Sequence, residues 1–119
     1  EKAKARANDP LTALQVGEMQ NLLVTAQLAV DSMIALCDDL AFTPSETLAS
    51  QILSRKTICA SAVIAVTEKA LEVCGGSGFM RKAGIERLLR DAHAGQFHPL
   101  PEKRQQMFTG RVALGLTPV

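Results

Sequence analysis

Two long stretches with helical periodicity dominate residues 10–74, and each is preceded by a proline placed where a helix can begin. Asp9 offers an N-cap acceptor, and Pro10 takes a first helical position at which a missing N–H costs nothing. The sequence therefore predicts a helix from Pro10 to about Leu40. Its apolar stripe has spacings of three and four residues and consists of Met19, Leu22, Ala26, Ala29, Val30, Met33 and Cys37.

The second stretch opens with Thr-Pro-Ser-Glu at residues 43–46. This order places Thr43 at the N-cap, Pro44 at the first position and Glu46 at the third, which is a capping-box pattern. The helix should end at Gly75 and Gly76, where no side chain opposes a left-handed C-cap. At about 1.5 Å per residue, both helices span roughly 40 Å, a length typical of helical bundles. The predicted stripe consists of Leu48, Ile52, Cys59, Val63, Val66, Ala70 and Val73.

Two shorter helices are predicted over residues 81–94, ended by Gly95, and over residues 102–114. Gly110, inside the last helix, suggests that another part of the backbone approaches closely there. With no segment that favours a strand, the sequence predicts an all-α fold. We expect one domain, residues 1–119, built as an antiparallel up-and-down helical bundle.

The composition excludes several classes of protein. With 17 Ala, 15 Leu and no Trp or Tyr, an all-β fold is disfavoured. A formal net charge of +1 argues against a protein that mainly binds nucleic acid. The three cysteines form no CxxC pair, which favours a reducing compartment and a cytoplasmic protein. The most apolar run, residues 58–66, is far shorter than the roughly 18 residues of a membrane span, so none is expected.

The glycine-rich turn at residues 75–78 is the candidate functional segment. Glycines at such a turn allow backbone N–H groups to approach a ligand closely, and phosphate is the natural ligand. A Gly-Gly pair after a helix more often serves only as a turn. The segment is not a P-loop, because no Lys-Ser or Lys-Thr follows and no strand precedes it.

The wider segment has a more specific pattern. Glu-Val-Cys-Gly-Gly-Ser-Gly-Phe at residues 72–79 is followed by Glu-Arg-Leu-Leu-Arg-Asp-Ala at residues 86–92. Upstream, Pro10 and Leu11 precede Gln15 with the spacing PLxxxQ. Together these segments resemble the C-terminal helical domain of the acyl-CoA dehydrogenase family, over almost the whole chain.

This resemblance implies a bundle whose first helix is mostly missing here, with residues 2–7 as its end, downstream of two other domains. It also implies that FAD binds between subunits of a homodimer or homotetramer. Of the matching positions, Gly75, Gly76 and Gly78 would line the ADP portion of the FAD of a neighbouring subunit, and Gln15 would contact the same cofactor. Glu72 stands beside them, where the family often has Gln.

Two departures from the family pattern affect this cofactor site. The flavin-contacting Arg of the family is replaced by Lys4, and Arg6 is a possible substitute. The carboxylate of Glu72 would be unfavourable near a diphosphate unless Arg81 or Lys82 offsets its charge.

The family's usual catalytic base is also absent. In many members a Glu removes the α-proton of the acyl thioester, and the matching position here is Pro99. Glu102, three residues later, is expected to begin a helix, so no catalytic residue is assigned. The neighbouring His98 supports an alternative, because flavin-dependent monooxygenases of the same fold often have a His near this point. A His in such a loop is more often a satisfied structural residue.

The resemblance thus implies the C-terminal domain of an FAD oxidoreductase that introduces an α,β double bond into an acyl-CoA, in fatty acid or other lipid metabolism. An electron-transfer flavoprotein would be its electron acceptor, and residues 1–119 alone would be inactive. Two alternatives are a monooxygenase of the same fold and a non-catalytic helical module that serves only in assembly. The long helices, apolar on more than one face, indicate a partner surface under each of them.

Overall fold

The computed structural model describes residues 6–97 and 100–119, and over these ranges the protein is helical, with no strand. The four helices are α1 (Pro10–Cys37), α2 (Glu46–Cys74), α3 (Ile85–Ala92) and α4 (Glu102–Ala113). Short 3-10 turns follow or precede them at Asp38–Leu40, Gly75–Ser77, Arg81–Ala83 and His93–Gln96. The predicted all-α fold is confirmed.

Helix α1 begins as predicted. The Asp9 carboxylate accepts the Thr12 backbone N–H at 3.0 Å and the Thr12 hydroxyl at 2.9 Å. These bonds satisfy one free donor of the first turn and lower the pKa of Asp9. The α-helix ends at Cys37 rather than near Leu40, because the three residues from Asp38 to Leu40 have φ values of 44°, 50° and 67°. Left-handed residues cannot continue a right-handed helix.

Helix α2 starts later than predicted. Ser45, not Thr43, is the N-cap: its backbone is extended, and its hydroxyl accepts the Leu48 N–H at 3.0 Å. Both residues have a hydroxyl that can cap, and the sequence pattern did not distinguish them. Pro44 therefore lies before the helix rather than at its first position.

Helix α2 is the centre of the bundle, and α1, α3 and α4 all pack on it. Contacts of α1 with α2 join Arg55 Nε to Ser32 Oγ at 2.6 Å and Gln15 Nε2 to Glu72 Oε1 at 3.0 Å, so the two helices are antiparallel. Helix α4 is also antiparallel to α2 and lies on its N-terminal half, since Ser50 donates to Thr109 at 3.1 Å and Gln105, four residues earlier, donates to Ser54, four residues later, at 3.4 Å. The up-and-down arrangement is confirmed, in a bundle of 59 × 25 × 24 Å.

The predicted stripes agree in part with the observed burial. Ala26 and Ala29 are buried against α2, as expected, but Val30 is 39% exposed. In α2 the buried residues are Ser50, Ala62 and Ile64, whereas the predicted Val63 is 37% exposed. A single stripe describes a helix packed on one side, and α2 is covered on several sides.

Much of α1 presents apolar side chains to solvent. The only charged residues between its ends are Glu18 and Asp31, and the large apolar side chains include residues that are about 60% exposed. Segment Pro10–Leu40 therefore has the length and mean hydropathy, 1.2, that would also allow a helix to cross a membrane. A core helix of a soluble protein meets the same criterion, so the expectation that the chain has no membrane span stays a prediction. The apolar residues of α1 that are about 60% exposed are Leu11, Leu14, Leu28 and Ile34.

The third helix is shorter than predicted. Gly84, with φ of 75°, separates a 3-10 turn from α3, which therefore begins at Ile85. The helix ends at Ala92, and the chain tightens into a 3-10 turn through Gly95 instead of stopping there. A Cβ at Gly95 would lie 3.0 Å from the Cβ of Ala60 on α2, so the glycine allows this close packing.

Gly110 is the site of a further correction. Within the described part of the chain, nothing lies within 4 Å of the position that a Cβ would take, so the predicted close approach is wrong. The same is true of Gly84, but Gly84 has a positive φ and Gly110 does not. Substitution by Ala at the two positions therefore compares a helical with a left-handed backbone, without a steric clash at either position.

We expect Gly110→Ala to raise the free energy of unfolding by about 0.5–1 kcal/mol, since Ala is the better helix former and has room here. The matched control is Gly84→Ala, which is expected to lower it by about 1 kcal/mol because an L-residue is strained at this φ. Urea denaturation followed by circular dichroism measures both. Equal effects of the two substitutions would contradict these expectations.

Candidate functional site

The glycine turn is built onto the C-terminal end of α2. Gly75 has φ of 60° and ψ of −151°, a conformation available almost only to glycine. Its N–H points back into the helix and bonds to the carbonyls of Leu71 and Glu72. The N–H of Gly78 bonds to the Gly75 carbonyl at 2.9 Å. Two of the N–H groups in this turn are therefore used internally.

The next two carbonyls at the end of α2 are satisfied by side chains. Arg6 Nη2 donates to the Val73 carbonyl at 2.6 Å, and the Ser77 hydroxyl donates to the Cys74 carbonyl at 2.8 Å. The last four carbonyls of an α-helix lack partners within the helix. In α2, residues of the turn and Arg6 supply partners for all four.

Gly78 is the buried glycine of the turn. A Cβ at this position would lie 2.7 Å from the Cβ of Cys74 and 3.3 Å from both the Gly75 carbonyl oxygen and Leu71 Cδ1. Contacts under 3.0 Å between such atoms require something to shift. Gly78 is thus needed for packing, whatever else the turn does.

Gly76 differs from its neighbours. It is exposed, nothing in the described part of the chain lies within 4 Å of its Cβ position, and its φ is not in the left-handed region. Neither packing nor backbone conformation in this structure explains why a glycine stands here. Gly76 leaves the backbone bare on the outer side of the turn.

A polar cluster lies beside the turn, between the N-terminal part of α1 and the C-terminal part of α2. Gln15 Nε2 donates to Glu72 Oε1 at 3.0 Å, and Lys69 Nζ lies 2.6 Å from Glu72 Oε2 and 2.9 Å from Glu18 Oε2. Lys69 and then Gln15 hold the pKa of Glu72 below its ordinary value. The carboxylates of Glu72 and Glu18 raise the pKa of Lys69. Glu72 and Lys69 are therefore charged together near neutral pH.

This cluster corrects the expectation for the charge of Glu72. The expected partners were Arg81 and Lys82, which follow the turn, but the cation that pairs with Glu72 is Lys69, three residues earlier on the same helix. The i,i+3 spacing of Lys69 and Glu72 was visible in the sequence and would have indicated this pair. The part played by Glu18 depends on the packing of α1 against α2.

A comparison with known protein families identifies the domain that carries this turn and polar cluster. Residues 1–102 match the family model described as "Acyl-CoA dehydrogenase, C-terminal domain". The match includes the Gly turn, the polar cluster and α3. The chain belongs to the acyl-CoA dehydrogenase family.

Two curated relatives of this acyl-CoA dehydrogenase domain are cyclohex-1-ene-1-carbonyl-CoA dehydrogenases. The protein from Geobacter metallireducens is 39% identical over 59 residues, and that from Syntrophus aciditrophicus is 36% identical over 59 residues. Each match covers 50% of this chain, but only 16% and 14% of the respective relatives. No solved structure matches the chain.

Several predicted positions of this acyl-CoA dehydrogenase domain lie outside the described residues. These are Lys4, Pro99 and His98, and with them the position of the usual base and the basis of the monooxygenase alternative. Residues 6 and 7 are helical, and the rest of the predicted helix end at residues 2–7 lies outside the described residues. Glu102 is the first residue of α4, as predicted. Across residues 6–97 and 100–119, no group of three His, Cys, Asp or Glu side chains is placed to hold a metal ion.

The cofactor contacts predicted for Gln15, Glu72 and the three glycines remain predictions. The structure brings Gln15 to Glu72, directly before the turn, although the two are 57 positions apart in the sequence. Two motifs that share a predicted ligand thus lie at one end of the α1–α2 pair. The open backbone of Gly76 is on the same end of α2.

Proposed function

We propose that this chain is the C-terminal domain of an FAD-dependent acyl-CoA dehydrogenase and forms one edge of its flavin site. The main support is the Gln15–Glu72 contact, which joins two separate family motifs beside an open glycine turn. Because the matched segments span a small part of the curated relatives, the activity of the whole protein is part of this proposal.

The residues at the turn fit the diphosphate of FAD in part. Gly76 exposes backbone without a side chain, and the Arg6 guanidinium lies 3.8 Å from the Cβ position of Gly75. Both features favour an anion in close contact. Gln15 is oriented by Glu72, and the carboxylate of Glu72 is neutralised by Lys69. The cofactor edge would therefore consist of Arg6, Gln15, Gly75 and Gly76, with Gly78 and Glu72 as support.

When bound, FAD would supply the hydride acceptor for oxidation of the acyl thioester at Cα–Cβ. None of the described residues is assigned as the base that removes the α-proton, so this base must come from elsewhere in the protein. The residues described here would bind and orient the ADP end of the cofactor. Residues 1–119 alone are expected to have no activity.

A second part of the proposal is subunit assembly, through a homodimer or homotetramer. The chain exposes 8334 Å², whereas a compact protein of 12.7 kDa exposes roughly 6,200 Å² by the usual scaling of surface with mass. The surplus of about 2,000 Å² exceeds the roughly 800 Å² that one partner contributes to a typical interface. Its most apolar part is the outer face of α1, which includes Leu28 (63% exposed) and Ile34 (65% exposed). This face suits contact with other protein elements.

The substrate class in this proposal is an acyl-CoA, and the electron acceptor an electron-transfer flavoprotein, in the cytoplasm. Both curated relatives are named as dehydrogenases of a cyclic acyl-CoA, which favours dehydrogenation over hydroxylation. Nothing among the residues that the structure describes supports the monooxygenase alternative, because His98 lies outside them. The acyl group itself is not part of the proposal.

The test uses the protein at its full natural length, purified and mixed anaerobically with a panel of linear and cyclic acyl-CoA thioesters. We expect loss of the oxidised-flavin absorption band with at least one thioester, and no loss with free coenzyme A as the control. A flavin band that no thioester bleaches, together with oxygen-dependent hydroxylation of an aromatic substrate, would favour the monooxygenase. A folded protein that holds no flavin would favour the assembly module.

A further inference from the structure

The turn between α1 and α2 makes one end of the bundle acidic. Residues 31–46 contain four carboxylates and no Lys, Arg or His. Asp38 and Asp39 of the turn are exposed, and neither makes a salt bridge within the described part of the chain. Arg111, on the part of α4 that lies over the N-terminal half of α2, donates to the Thr117 carbonyl instead of to a carboxylate. The fold of one chain therefore leaves this negative charge without a partner among the residues described.

The segment that follows the glycine turn has the opposite charge. Residues 79–90 contain four cations and one carboxylate. Arg81 and Lys82 are exposed, and neither makes a salt bridge among the residues that the structure describes. Two exposed cations thus lie at one end of the molecule, as two exposed carboxylates lie at the other.

Both charged segments also expose large apolar side chains. Beside the two aspartates, Leu40 is 81% exposed and Phe42 is 38% exposed. Directly before the two cations, Phe79 is 73% exposed and Met80 is 63% exposed. An apolar centre with a charged rim is the usual composition of a protein–protein interface. Because the two rims have opposite charge, the segments are complementary to each other.

The two segments cannot meet within one chain. They follow the C-terminal ends of α1 and α2, which are antiparallel, so they lie at opposite ends of a bundle 59 Å long. Charges at such a separation are screened from each other, since the Debye length is about 8 Å at physiological salt. A second copy turned end for end beside the first would bring the acidic turn of each copy to the basic segment of the other. Two-fold symmetry makes this contact occur twice.

We propose that two copies of this chain associate side by side and end for end, with Asp38 and Asp39 of each copy facing Arg81 and Lys82 of the partner subunit. This inference rests on the assembly part of the proposed function and specifies which surfaces meet. The apolar outer face of α1 lies between the two charged contacts and supplies buried area. The charged ends fix the orientation, because a parallel pair would place like charges together.

The test is self-association of the protein at its full natural length, measured by sedimentation velocity over a dilution series at low and high salt. Asp38→Lys with Asp39→Lys reverses the acidic contact, and Arg81→Glu with Lys82→Glu reverses the basic one. We expect either double variant to raise the Kd of association at least tenfold at low salt, because like charges then face each other. Combining all four substitutions restores opposite charges and should return the Kd to within about threefold of the wild type.

Two controls separate the contact from net charge and from folding. Lys103→Glu with Arg104→Glu makes the same change of charge at exposed cations of α4 and should associate like the wild type. Asp38→Asn with Asp39→Asn removes the acidic charge with a residue that tolerates the left-handed backbone of this turn. This variant should fold like the wild type and give a Kd between those of the wild type and the lysine variant.

Wild-type association in both reversal variants would overturn the inference and leave the proposed function intact. So would weak association that the combined variant does not restore, since the two segments would then face different surfaces. A wild-type protein that stays monomeric at every concentration would overturn the assembly part of the proposed function together with the inference. The flavin absorption of the same samples tests the cofactor part of the proposed function separately.

Discussion

Replacing Gly78 with Ala is expected to lower the free energy of unfolding by about 2–3 kcal/mol, the cost of adding a methyl group to a packed site. The new Cβ would lie 2.7 Å from the Cβ of Cys74 and 3.3 Å from the Gly75 carbonyl oxygen. Neither atom is the end of a flexible side chain, so the turn itself must move away from α2. That movement would also disturb the cap at the end of α2, which the Gly75 N–H forms.

The matched control for this prediction is Gly76→Ala. It adds the same methyl group two positions earlier, where nothing within the described residues lies within 4 Å. We expect its stability to differ from the wild type by no more than about 0.5 kcal/mol. Equilibrium urea denaturation of both variants, followed by far-UV circular dichroism, measures the difference. Equal stability of the two would show that the close packing of Gly78 on Cys74 is wrong.

The second large effect is expected at Gln105, which is 3% exposed in the interface between α2 and α4. Its Nε2 donates to Thr109 Oγ1 at 2.8 Å and to Ser54 Oγ at 3.4 Å. Ser50 also bonds to Thr109, at 3.1 Å, so four polar side chains form one network. Gln105→Ala removes the largest member of this network and leaves a cavity. We expect it to lower the free energy of unfolding by about 2–3 kcal/mol.

Two further variants separate the loss of hydrogen bonds from the loss of side-chain volume. Gln105→Met fills nearly the same volume without hydrogen bonds, and Ser54 still has the Ser50 carbonyl as an acceptor at 2.6 Å. Its cost should therefore be about 1 kcal/mol, less than that of Ala. Gln106→Ala is the exposed control and should cost under about 0.5 kcal/mol, since the Gln106 amide makes only surface hydrogen bonds among the described residues, donating to Glu102 at 3.2 Å and accepting from Lys103 at 3.1 Å. Equal losses for Gln105→Met and Gln105→Ala would mean that the hydrogen bonds, not the volume, dominate.

The sequence predicted the helices themselves well, because their signals are local. Asp9 and Pro10 defined the start of α1, and the glycines at residues 75 and 76 defined the end of α2. Local signals failed where two residues could serve equally, as with Thr43 and Ser45. They also failed where backbone conformation overrides pattern, as in the left-handed residues Asp38–Leu40. Such details depend on how the chain packs, not on periodicity.

The candidate site was predictable only in outline. Its residues were identified by resemblance, but the pairing of Glu72 with Lys69 and Glu18 requires the antiparallel contact of α1 and α2. The separate roles of the glycines were also invisible, because Gly76 and Gly78 look alike in the sequence. One has open space around it and the other is buried on Cys74. Only three-dimensional packing distinguishes a glycine kept for folding from one available to a ligand.

The most direct test of the central claim is the flavin content of the Gly76→Leu variant of the protein at its full natural length. A Leu here meets no described atom of the chain within 4 Å of its Cβ, so folding and thermal stability should match the wild type. If this turn contacts FAD, the side chain would block close approach, and the purified variant should lose most of the bound flavin that the wild type retains. A Gly76→Leu protein that holds FAD with wild-type stoichiometry and affinity would contradict a cofactor site at this turn.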